Sequence, residues 1–88
     1  MAKRNRLEII KDILELIKKN PKIKQTPLMR KTNISSSNFK TYYDELADKG
    51  FIKEINTPKE KYIDITEKGQ KFLQKYQTLI GFIEEFEL

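Results

Sequence analysis

A mainly α (α+β) fold with one small β-hairpin is predicted by three features of this 88-residue chain. Apolar residues recur at helical spacing in four stretches. Two short runs of strand-forming residues, FIKEI and KYIDI, flank a turn at Asn56-Thr57-Pro58. Between Thr26 and Gly50, two short helices stand so close in sequence that only a tight turn fits between them.

Asn5 and Glu8 have the spacing of a capping box, and the helix they open is expected to run to about Lys19, where Asn20-Pro21 stops it. Leu7, Ile10, Ile13, Leu14 and Ile17 make one apolar face; Arg6, Lys11, Asp12, Glu15, Lys18 and Lys19 make the solvated one. This is a supporting core helix. Ahead of it, Lys3, Arg4 and Arg6 form a basic arm that either reaches a phosphate or minor groove or only solubilises the terminus. Residues 22–25, KIKQ, are too short to assign beyond a strand of one or two residues that adds to the later hairpin.

Thr26-Pro27 is expected to open the second helix, about 27–32, with the threonine oxygen as cap and proline at the first helical position. Its exposed Arg30 and Lys31 are either solvated or placed where a helix crossing a DNA backbone meets phosphates. Thr32-Asn33 makes the turn. Ser35-Ser36 caps a third helix, about 36–49, whose inward stripe is Phe39, Tyr43 and Leu46 and which Gly50 ends. Its other face carries Ser36, Ser37, Asn38, Lys40, Thr41 and Asp44, small and polar groups of the kind that enter a DNA major groove. Following directly, the hairpin at 51–65 reads as a wing with Lys53, Lys59 and Lys61 at its tip, set either along a minor groove or phosphate strand or as a cover for the core.

Thr66 caps the last helix, Glu67 to about Glu87, on the order of 30 Å long at 1.5 Å per residue and longer than so small a domain needs. Gly69, Phe72, Tyr76, Leu79, Ile83 and Phe86 step by threes and fours, the spacing of a coiled-coil seam. Phe72 and Leu73 are expected to begin it against their own domain. Phe72, Tyr76, Leu79, Ile80, Phe82, Ile83 and Phe86 are assigned to a homodimer interface, with folding back on the first helix as the alternative, because Leu79, Ile80, Phe82, Ile83 and Phe86 would otherwise form a large exposed apolar patch. The expected organisation is a winged helix-turn-helix at 1–66, continuous with a dimerising helix at 67–88.

Composition narrows the function. There is no cysteine or histidine, which removes disulfides, Cys/His zinc sites and histidine acid-base chemistry, and with them most enzymes. No catalytic site, metal, cofactor or small-molecule substrate is expected. Asp44, Glu45 and Asp48 make an acidic patch without a fourth ligand, read as solvated. No apolar run reaches the ~18 to 20 residues of a membrane span, and MAKRNR leads into a helix without a signal core, so a cytoplasmic, nucleoid-associated protein is expected. Charged residues make up 35%, with Lys, Glu and Ile prominent, a balance met in thermophile proteins and also produced by AT-rich coding DNA. The formal charge of +5 points to a polyanion partner. All 18 Lys and Arg lie within residues 1–75, against 10 of the 13 acids, while 76–88 holds only Glu84, Glu85 and Glu87. The charges are thus +8 and −3, and the tail is kept off phosphate.

Three segments, KRNRLEIIKDILELI, YYDELADKGFI and YIDITEKGQKFL, resemble the archaeal winged-helix DNA-binding proteins of about ten kilodaltons, the small chromatin-associated or regulator-like group. Leu46–Ile52 (L-x-x-K-G-F-I) and Ile65–Gly69 (I-T-E-K-G) recur in winged-helix regulators generally and specify fold better than function. The resemblance spans nearly the whole chain. It implies double-stranded DNA binding without catalysis, by a dimer joined through a C-terminal antiparallel coiled coil.

The residue reading assigns affinity to Lys and Arg on phosphates, and sequence preference to Ser36, Ser37, Asn38, Lys40 and Thr41. Asn38 suits adenine and Lys40 guanine. Tyr42 is expected to touch a phosphate or pack beneath the wing. A sequence-specific regulator, a low-specificity architectural protein and a winged helix used for protein contacts all fit, with the first favoured because SSSNFKT is not dense in Lys and Arg.

Overall fold

In the computed structural model, which describes residues 5–87, the chain runs α1 (Arg6–Lys19), α2 (Gln25–Thr32), α3 (Ser36–Asp48), β1 (Ile52–Asn56), β2 (Lys61–Ile65), α4 (Glu67–Glu85). Asn5 accepts the Glu8 amide at 2.8 Å to open α1, and Asn20 closes it by donating from its backbone and side-chain amides to the Leu16 carbonyl. Ile10, Ile13, Leu14 and Ile17 are buried as expected, but Leu7 is 48% exposed. It sits in the first turn, beyond the edge of the core, against the outer side of α4.

The second helix starts earlier than its sequence suggests. Lys24 holds the cap position in extended backbone with no side-chain hydrogen bond, and Thr26 and Pro27 lie inside the first turn. Proline is tolerated there because first-turn amides lack intrahelical acceptors anyway. Asn33 ends α2 in the left-handed region (φ 59°, ψ 34°), a conformation that asparagine accepts readily. Ser35 then accepts the Asn38 amide at 3.3 Å and starts α3. At the far end of α3, Phe51 donates to Leu46 and Gly50 to Ala47, and Gly50 has φ 81°, a Schellman closure.

The hairpin is a two-stranded antiparallel ladder, Ile52 opposite Ile65 and Asn56 opposite Lys61. Its loop is Thr57–Glu60, since Asn56 still pairs. The Thr57 hydroxyl accepts the Glu60 amide at 3.0 Å and the Lys59 amide at 3.3 Å. Ile23 forms no strand, yet its carbonyl accepts the Ile63 amide at 2.9 Å, and Lys22 pairs with Glu60 at 3.2 Å, so the linker is tied to the wing.

Thr66 accepts the Gly69 amide at 3.1 Å and donates to the Gly50 carbonyl at 2.6 Å, which locks the start of α4 to the end of α3. Leu73 joins Ile10, Ile13, Leu14, Leu28, Phe39, Leu46, Ile52 and Ile63 in one core. α4 stops at Glu85, with Phe86 as its cap, slightly short of Glu87.

Gly69 is part of the domain's own packing and leaves the seam. A Cβ there would lie 2.4 Å from the Phe51 carbonyl oxygen and 2.7 Å from Ile65, whereas a Cβ at Gly81 meets nothing within 4 Å. Gly69→Ala is therefore expected to cost about 1–3 kcal/mol through overpacking. Gly81→Ala should stabilise by up to about 1 kcal/mol through helix propensity. Thermal unfolding of the two variants checks both signs.

Candidate nucleic-acid interface

The Ser35 cap exposes the first turns of α3, and the buried Phe39, Tyr43 and Leu46 fix which face is outward. Ser36, Ser37, Asn38, Lys40 and Thr41 are all exposed there. Their hydrogen-bonding capacity differs. Lys40 Nζ donates to Asp44 Oδ2 at 2.9 Å, and the Thr41 hydroxyl donates to the Ser37 carbonyl at 3.1 Å. Among the described residues the Asn38 carboxamide has no partner, which leaves both its donor and its acceptor for a base edge. Lys40 must exchange Asp44 for any new acceptor, a small cost because an exposed i,i+4 pair is worth about 0.3–0.5 kcal/mol.

Arg30 and Lys31 are both exposed, but Lys31 borders the groove between α1 and α2 beside Asp12 and Glu15. Lys59 stands in the wing loop. Lys61 opens β2 at the loop and lies 3.9 Å from Glu54. Lys53 is not at the tip: it is the second residue of β1 and faces Asp64 across the ladder, near the root of the wing. The hairpin runs too far for both: at about 3.3 Å per residue, Lys53 is on the order of 10 Å from the loop. Arg4 and Lys3 lie outside the described residues.

Tyr42 is half-buried on the α1 side of α3, its ring centroid 6.0 Å from the Arg6 guanidinium. Arg6 also pairs with Glu45. Neither residue of that pair is merely solvated, and Arg6 emerges as a positioning residue that ties the first turn of α1 to α3. Periodicity placed Arg6 on a polar face and held no signal for its partner, 39 positions away.

Beneath the site, Tyr43 is 5% exposed, and among the described residues its hydroxyl makes no hydrogen bond of ordinary geometry, although the Glu54 carboxylate stands close by. Burial pushes the phenol from its ordinary 10.0 up to about 12, and the Glu54 carboxylate on β1 adds to the rise. Because the folded value is raised, any stability linked to this proton is complete below pH 10 and declines as the pH climbs from there toward 12. Tyr43→Phe is expected to remove that alkaline decline and to leave stability at neutral pH within about 1 kcal/mol, since at most a weak contact with Glu54 is lost. Unfolding curves at pH 7 and at pH 11 check this.

On α4, Leu79, Phe82 and Phe86 are 50%, 53% and 58% exposed. Phe72 meets Phe51 edge-on at 5.7 Å and stacks on Tyr76 at 6.2 Å. Ile83 is half-buried, and Ile80 turns toward Lys11 and Glu15 of α1. Among the described residues, no helix is long and apolar enough to cross a membrane and no three His, Cys, Asp or Glu side chains gather to hold a metal ion.

Sso10a-2, a DNA-binding protein from Sulfolobus solfataricus, matches 96% of this chain and 86% of its own at 26% identity, with a TM-score of 0.76. F-93 of SSV1 matches 89% of this chain and 91% of its own at 27% identity, TM-score 0.67. The PcaV transcriptional regulator from Streptomyces coelicolor shares the fold at 12% identity, TM-score 0.75; the match takes in 89% of this chain and only 60% of PcaV. No curated protein matches in sequence. A winged helix-turn-helix family model aligns with residues 3–84, and the chain accordingly belongs to the winged helix-turn-helix family.

Proposed function

We propose that the protein binds double-stranded DNA as a homodimer and regulates transcription, with α3 in the major groove and the wing on the backbone or minor groove. The observation that carries this reading is the exposed N-terminal half of α3 in a winged helix-turn-helix, where Ser36 and Asn38, whose carboxamide has no partner among the described residues, stand clear of the core. Arg30 and Lys59 supply phosphate contacts on either side, and Lys31, Lys53 and Lys61 contribute less because acids stand beside them. Tyr42 serves by packing on Arg6 rather than by touching DNA. The DNA-binding description of Sso10a-2 supports the polyanion partner. Catalysis, cofactor and metal have no part in the reading, and its place in the cell is the cytoplasm, on the nucleoid.

A low-specificity architectural role is the second reading. It is favoured by the Lys40–Asp44 pair, the Thr41–Ser37 carbonyl bond and the Ser35–Ser37 hydroxyl contact at 3.5 Å, which occupy three of the five readout groups. Selection of bound fragments from random DNA separates the two. A regulator yields a palindromic consensus, and Asn38→Ala then relaxes preference at one base per half-site at a cost of about 1–3 kcal/mol. An architectural protein yields no consensus, and Asn38→Ala weakens every sequence alike or not at all. Absence of binding to any duplex at ~50 mM salt, where phosphate contacts are strongest, rejects both.

A further inference from the structure

An open cavity of about 300 Å³ is lined by Lys24, Gln25 and Thr26 at the start of α2, by Glu54 and Lys61 of the wing, and by Tyr43 of α3. That volume is at the low end of the range for small-molecule sites. Two independent features bring unused hydrogen-bonding capacity to it. The eight-residue α2 opens without a cap: Lys24 at the cap position makes no side-chain hydrogen bond, the first turn holds no acid, and Pro27 has no amide hydrogen. The Gln25 and Thr26 amides thus take no acceptor among the described residues, at the end of the helix where its dipole favours negative charge. The second feature is the Tyr43 hydroxyl, on a residue 5% exposed, which makes no hydrogen bond of ordinary geometry among the described residues. A buried hydroxyl in that state costs stability that a ligand atom would restore.

Charge selects the class of ligand. A simple anion at the helix end would share the cavity with the Glu54 carboxylate, and a simple cation would share it with Lys24, Lys61 and the two amides. A small molecule that carries both signs answers both. Its carboxylate accepts from the Gln25 and Thr26 amides with Lys24 alongside, and its ammonium donates to Glu54. Lys61 does not hold Glu54 back, since their exposed pair, 3.9 Å apart, contributes little. The Tyr43 hydroxyl, in the same cavity as Glu54, accepts from the ammonium or donates to the carboxylate.

We propose that this cavity binds a free α-amino acid, and that the bound molecule ties the wing to α2 and α3 and so changes the affinity for DNA. The first half stands on the cavity alone. The second rests on the DNA-binding reading above. The walls come both from the wing and from the helix proposed to enter the groove, so a ligand that prefers one spacing of the two shifts DNA affinity by its own preference between spacings.

Calorimetry on the full chain without DNA, with the common L-amino acids as probes at constant ionic strength, tests the first half. At least one is expected to bind with a Kd below about 1 mM. Its N-acetyl derivative, which lacks the ammonium, its amide, which lacks the carboxylate, and inorganic phosphate should each bind about tenfold more weakly or worse. Glu54→Gln, at an exposed position, and Tyr43→Phe, which keeps the ring in the core, should each weaken that amino acid about tenfold with helix content unchanged. No binding by any amino acid up to about 10 mM overturns the proposal. So does binding that both variants leave unaltered, and so does phosphate binding as tight as the amino acid's, which marks a plain anion site. Duplex affinity with and without saturating amino acid tests the second half: a change of about fivefold or more supports it, and a smaller one overturns it. Because the amino acid is titrated without DNA, its failure to bind leaves the DNA reading untouched, and failure of the protein to bind any duplex leaves the cavity's ligand standing.

Discussion

Replacing Phe82 and Phe86 together by alanine is expected to lower affinity for a palindromic duplex by about 10²- to 10⁴-fold while leaving the single-chain fold intact. The two rings are 53% and 58% exposed, so their truncation removes little from the core of one subunit. Joining two reading heads, by contrast, makes the second binding event intramolecular, and avidity gains of that order need no new contact with DNA. The variant should sediment as a monomer, keep its circular dichroism, and bind a full palindrome no better than a half-site. Wild-type affinity from a variant shown to be monomeric would mean that one subunit suffices, and the homodimer reading would fail at that point.

The helices and the hairpin were legible because each has a local cause. Asn5, Ser35 and Thr66 cap, Asn33 and Gly50 take left-handed backbone, and Phe39, Tyr43 and Leu46 mark an inner face by spacing alone. Errors came where a long-range contact decided the outcome. Thr26 looks like a cap, but the preceding linker is held to the wing through Ile23 and Lys22, and α2 begins before Thr26 can cap it. Leu7 fits the apolar period of α1 and yet lies beyond the core, because periodicity gives direction and not depth. Gly69 fits the seam of α4, and only the closeness of Phe51 and Ile65 reveals that its lack of a side chain serves the domain.

For the candidate site, the outward set on α3 followed from the inner stripe, since the two faces of one helix determine each other. Its internal bookkeeping of hydrogen bonds did not. Lys40 and Asp44 stand four apart, a spacing that by itself pairs them on the helix surface. Nearness in sequence does not group the wing lysines in a hairpin: Lys53 lies near the root and Lys59 in the loop. Arg6 with Glu45 and Tyr42 carried no sequence signal, because nothing local relates the first turn of α1 to the middle of α3.

The second large effect concerns Phe39. It is 1% exposed and foremost among the fully buried side chains by volume, with its ring centroid 5.7 Å from that of Tyr43. Phe39→Ala removes a ring that no neighbour can replace, at about 3–5 kcal/mol. Total stabilities run to about 5–15 kcal/mol, and small domains have the least apolar surface to bury. At about 4–8 °C per kcal/mol, the melting midpoint should fall by roughly 12–40 °C. Salt does not rescue such a loss, whereas it would relieve repulsion among the surface lysines, so melting at low and at high ionic strength separates the two causes. A drop below about 1 kcal/mol would contradict the packing of α3 described here. Because the ring that anchors α3 and the polar groups proposed to read DNA sit on opposite sides of one helix, any variant that loosens the first also misaligns the second. Affinity for DNA should therefore decline in Phe39→Ala at temperatures where most of its helix content survives.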